Sequence, residues 1–90
     1  MIGNTCDHNG HNSTLEVAGI RVIGSGNRID GNNVTSNAYY GIDVIGAGNI
    51  IVRNTASGNT ISNYHFAAGN DIGTIQTTPV GAGAWDNFEF

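Results

Sequence analysis

Several groups of residues in this 90-residue chain have types and spacings that could do chemistry. Asp7, His8 and His11 put a carboxylate beside two imidazoles, the ingredients of a proton relay or a metal site. Their spacing is generic, so we read them as a local polar cluster and assign no metal, cofactor or catalytic role. Arg21, Asp43 and His65 fall 22 residues apart, a cation, a carboxylate and an imidazole at constant interval. Tyr39-Tyr40 offers two rings for stacking on a sugar, but Ile61 takes the place of Tyr39 one interval later, which favours a structural corner. Cys6 is the lone cysteine and makes no internal disulfide. Asn12-Ser13-Thr14 and Asn33-Val34-Thr35 are formal glycosylation sequons.

The interval of 22 belongs to the whole chain. GIRVIGSGNRIDGNNVTSN (Gly19–Asn37) is followed without a gap by GIDVIGAGNIIVRNTASGN (Gly41–Asn59), and ten of the 19 aligned pairs are identical. The identities are Gly, Ile, Val and Asn, whereas the charged positions drift, so the repeat is one of folding. Ile20 and Val22 alternate with Arg21, the period of a half-buried strand. Gly-Ser-Gly-Asn, Gly-Asn-Asn and Ser-Asn break each unit at three corners, where positive φ is tolerated. The expected fold is all-β, a parallel β-helix (β-solenoid) of about three rungs, each rung roughly 4.8 Å above the last. Inward columns are expected at Ile20/Ile42/Tyr64, Val22/Val44/Phe66 and Ile29/Ile51/Ile72. Asn27/Asn49 and Asn32/Asn54 are expected at corners, in the left-handed conformation, bonded from rung to rung. Cys6 falls in the Val34/Ala56 column, so its thiol should be buried and inert.

Around these repeats the chain divides as follows. IGNTCDHN (Ile2–Asn9) matches the second half of a unit, a truncated first coil that opens in mid-rung. A long loop (10–18) follows, then repeats 19–40 and 41–63, and a shorter third pass, 64–72, with larger inward residues. Residues 73–90 hold the only proline and then Trp85, Phe88 and Phe90, an extended tail expected to act as cap or interface.

The unit resembles the rungs of the right-handed parallel β-helix in the pectin-lyase-like superfamily. NTASGNTISNYHFAAGNDIG, closed by AWDNFEF, is similar to the carboxyl-terminal segment of uncharacterised members. That resemblance implies the handedness, and an exported or surface location, although no signal peptide precedes Met1. It also implies polysaccharide as a partner. Outward charges on one sheet grip sugar acids in such proteins, which makes Arg21, Asp43 and His65 the ligand-binding candidates. The bland alternative is an exposed Arg–Asp pair worth less than about 1 kcal/mol, with a histidine beside it. The catalytic motifs of the family's hydrolases and epimerases, and the carboxylate run of a calcium-dependent lyase, do not occur here.

Three arginines and no lysine, in a chain of formal charge −4, supply no basic stripe for nucleic acid or an anionic membrane. No run approaches the length of a membrane-spanning helix. The expected function is a non-catalytic module acting by binding or assembly. Alternatives are a remnant of a polysaccharide lyase or glycoside hydrolase, and a small self-assembling scaffold. If Ile51 faces inward, Ile50 and Val52 face out. With Trp85, Phe88 and Phe90 they are the interface candidates for a homodimer or homotrimer.

Overall fold

The computed structural model describes residues 1–7, 18–78 and 80–89, with the backbone alone for 5–7. These residues form strands and turns without a helix: β1 (Thr5–Asp7), β2 (Ala18–Val22), β3 (Arg28–Asp30), β4 (Asn33–Thr35), β5 (Tyr40–Val44), β6 (Ile50–Val52), β7 (Thr55–Ser57), β8 (Ser62–Phe66), β9 (Asp71–Ile72), β10 (Ile75–Gln76) and β11 (Asn87–Glu89). Consecutive strands do not pair. They are dealt into three parallel sheets of order β2-β5-β8, β3-β6-β9 and β1-β4-β7-β11-β10.

The pairing register is the sequence period. Ile20 lies opposite Ile42 and Ile42 opposite Tyr64. Ile29 lies opposite Ile51, and Cys6, Val34 and Ala56 are in line. Parallel strands in register turn equivalent side chains to one side. The core is therefore a stack of columns: Ile20, Ile29, Val34, Ile42, Val44, Ile51, Ala56 and Tyr64, with Val22 and Phe66 against it. Ile72 pairs with Ile51 as expected but remains 38% exposed, since β9 is an edge strand. The thiol of Cys6 and the residues His8, His11, Asn12 and Phe90 lie outside the described side chains.

The asparagines stack, but not in the conformation expected. Eight residues with φ between 53 and 88°, namely Gly3, Gly26, Gly31, Ser36, Gly48, Arg53, Gly58 and Gly69, each immediately precede a ladder asparagine. The left-handed residue thus makes the corner, and the asparagine after it is aimed inward. A side chain that must reach the next rung needs ordinary backbone beneath it, so the strain falls on its neighbour. Three ladders result: Asn27–Asn49–Asn70, Asn4–Asn32–Asn54–Asn87 and Asn37–Asn59–Asn63. At each step one Oδ1 accepts both the backbone N–H and the Nδ2–H of the asparagine before it, at 2.9–3.3 Å. The Nδ2 of Asn49, Asn54, Asn59, Asn70 and Asn87 also donates to a backbone carbonyl. Carbonyls only accept, so this bond fixes the amide's orientation. Among the described residues no buried side-chain nitrogen or oxygen lacks a partner.

The tail joins the sheet. Asn87 stands 33 residues after Asn54, not 22, yet occupies the next place in its ladder. The chain leaves the rung after Gly73, makes an excursion, and returns as β11 against β7, with β10 beyond it. Tyr64, larger than the Ile42 above it, donates its hydroxyl to the Phe88 carbonyl at 2.6 Å and so ties β8 to this returning strand. Burial pushes the Tyr64 hydroxyl far above the usual tyrosine range.

Candidate functional site

The column expected on the β2-β5-β8 sheet is assembled. Arg21 pairs with Asp43 and Asp43 with His65 across adjacent strands. His65 Nδ1 lies 2.8 Å from Asp43 Oδ1, and Arg21 Nε lies 3.6 Å from Asp43 Oδ2. Asp43 is only 2% exposed. It is a buried carboxylate held between two half-exposed partners rather than a solvent-facing charge. The Tyr40 ring stacks flat on the His65 imidazole, with centroids 4.4 Å apart and an interplanar angle of 6°, and Tyr39 meets Tyr40 edge-on. Both Asp43 oxygens are thereby engaged, and the imidazole is oriented through Nδ1. The strip offers a guanidinium, an imidazole and aromatic edges along three successive rungs.

A second constellation stands on the outer face of β3-β6-β9, and the repeat did not reveal it. Asp30, 2% exposed, accepts from Arg53 Nε at 2.7 Å and from Arg53 Nη2 and Arg28 Nε. The Arg53 guanidinium holds the Asp30 carboxyl down at about 2, against the opposing effect of desolvation. Both guanidiniums lie over Trp85, with Cζ 4.8 Å (Arg53) and 5.7 Å (Arg28) from the ring centroid. Arg53 occupies the left-handed corner position that Gly31 fills one rung earlier, a conformation costing roughly 1–2 kcal/mol for a residue with a Cβ. The signal in the sequence was that one drift, Gly31 to Arg53, 22 residues apart.

The interface candidates separate here. Ile50 is 40% exposed, Trp85 is 55% exposed, and Phe88 is half-buried in β11. Val52 is not available, being only 8% exposed. Alternation does turn it outward, paired with Asp30. The returning tail then crosses this side, the Trp85 carbonyl accepting the Arg53 N–H.

Asp7, of the amino-terminal polar cluster, is described by its backbone alone, as the last residue of β1. Among the described residues no three His, Cys, Asp or Glu side chains converge on a point, and no cavity is enclosed. No family model matches the chain, and neither a curated protein nor a solved structure matches it.

Proposed function

We propose that the three parallel sheets are the faces of a right-handed parallel β-helix of about three rungs, of the pectin-lyase-like kind. On this reading the chain is a non-catalytic module that works through its outer surface, as a carbohydrate-associated or surface-protein segment. Successive parallel strands of one sheet are joined across the other two, and parallel crossovers take the right hand in about 98% of cases. The observation that carries the functional half is the open strip Arg21–Asp43–His65 with Tyr40 stacked on His65. An outward strip along the stacking direction suits an extended polymer such as a polysaccharide. Hydrogen-bond donors and ring edges are what an oligosaccharide's hydroxyls and C–H faces engage.

A second reading has one observation in its favour. An exposed imidazole oriented by a buried carboxylate is the arrangement of a general base, as a lyase or hydrolase remnant would keep. Both Asp43 oxygens are already engaged, which leaves no second carboxylate to act as acid or nucleophile, so binding is preferred. A glycan array, paired with a screen for polymer cleavage, separates the two. Binding of an acidic oligosaccharide, lost in Tyr40→Ala and His65→Ala variants without cleavage, is the expected result. Cleavage abolished by His65→Ala would replace the binding module with an enzyme, and no glycan binding at all would remove the carbohydrate reading.

A further inference from the structure

The outer face of β3-β6-β9 carries a column that is its own complement. Arg28 pairs in register with Ile50, and Ile50 with Asp71. Ile29 and Ile51 beside them are fully buried, so Arg28, Ile50 and Asp71 all project outward, one rung apart. The order is cation, apolar residue, anion. A two-fold axis parallel to the strands, at the level of Ile50, would reverse the rung order in a facing copy. Each Arg28 would then meet the Asp71 of the other copy, with Ile50 against Ile50 between the two pairs. An isologous interface requires this self-complementarity.

Three features of the column favour a second copy as its occupant. Asp71 is exposed and makes no hydrogen bond or ion pair with any described residue. Arg28 is anchored through Nε to Asp30, so its terminal nitrogens are held in position and left for an outside carboxylate. Ile50, 40% exposed at the centre, and Trp85, 55% exposed beside Arg28, are the apolar area such a contact would cover. A stable interface takes about 800 Å² per partner, near one sixth of the 4837 Å² surface. A three-residue column with its margin falls below that, so the association would be a weak one.

We infer that the chain forms a two-fold dimer through the outer face of β3-β6-β9, with reciprocal Arg28–Asp71 pairs about Ile50. This inference is independent of carbohydrate binding, which uses another sheet. Sedimentation velocity and native mass spectrometry at roughly 10–100 µM, the range for a weak contact, should give a species at twice 9.4 kDa. Raising salt should weaken it.

Asp71→Lys replaces both attractions by repulsions and should weaken the dimer at least about tenfold. Asp71 has no intrachain partner, so the variant should melt like the wild type. Arg28→Glu should likewise be monomeric. An equimolar mixture of the two variants should dimerise again, because each mixed pair then joins opposite charges. A wild-type chain that stays near 9.4 kDa, a trimer, an Asp71→Lys variant that dimerises normally, or a mixture that fails to re-form the dimer would each overturn the inference.

Discussion

Replacing Asn54 by leucine, close in shape but without polar atoms, tests whether the asparagine ladders hold the fold together. Asn54 is fully buried, and its side chain makes four hydrogen bonds. Oδ1 accepts Asn32 N and Nδ2, both at 3.0 Å, while Nδ2 donates to Ile29 O at 2.9 Å and Asn87 Oδ1 at 3.1 Å. Asn87 Oδ1 would keep the Asn54 backbone N–H. Three groups would lose their partner: the Asn32 N–H, one Asn32 amide hydrogen and the Ile29 carbonyl. Each orphaned buried group costs about 1–3 kcal/mol, so the change should destabilise by roughly 3–9 kcal/mol. A domain of this size has ~5–15 kcal/mol in total.

Asn27→Leu is the internal control. Asn27 is exposed, and its side chain donates only to Ser25 O and Asn49 Oδ1. The expected loss is about 1 kcal/mol, a fall in Tm of about 4–8 °C for a chain of this length. Urea unfolding followed by circular dichroism measures both variants. Asn54→Leu should be largely unfolded or melt far below the control. If the two variants melt together, the ladders are incidental and the columns of Ile and Val suffice.

Three more outcomes are expected. The folded Asp30 carboxyl sits near 2, below its ordinary 3.8, so its contribution is present above pH 4 and is lost as pH falls from about 4 to 2. Acid unfolding of the wild type, read by the fluorescence of Trp85, should therefore steepen in that window, and Asp30→Asn should abolish the step. Tyr64 is shifted the other way, above its ordinary 10.0, so its contribution is intact below pH 10 and is lost as pH rises beyond. Tyr64→Phe should be less stable at neutral pH by about 1 kcal/mol and should flatten the alkaline limb of a pH–Tm curve. At Gly46 any Cβ would run into the Gly24 carbonyl of the rung above. Gly46→Ala should lower Tm, whereas Gly48→Ala, with its neighbour no nearer than 3.8 Å, should lose only what its φ of 77° imposes, about 1 kcal/mol.

What the sequence determined by itself was everything that recurs every 22 residues. Ile20 over Ile42 over Tyr64, Ile29 over Ile51, Cys6 in line with Val34 and Ala56, and the outward file Arg21–Asp43–His65 could all be written before any coordinates. When parallel strands stack in register, a spatial neighbour one rung away is also a fixed offset in the chain, so periodicity reports contact directly. Tertiary structure alone decided what breaks the period. Arg53 reaches back to Asp30 diagonally, 23 residues away. Asn87 enters its ladder after an excursion whose length no repeat encodes, and that excursion carries Trp85 onto the two arginines. The burial of Val52 follows from the same crossing. So does the change in Asp30, from an alternating outward residue to a buried carboxylate held between two guanidiniums. Such contacts are chosen by shape and charge once the rungs are stacked, and alternation along a strand carries no information about what will later be laid across it.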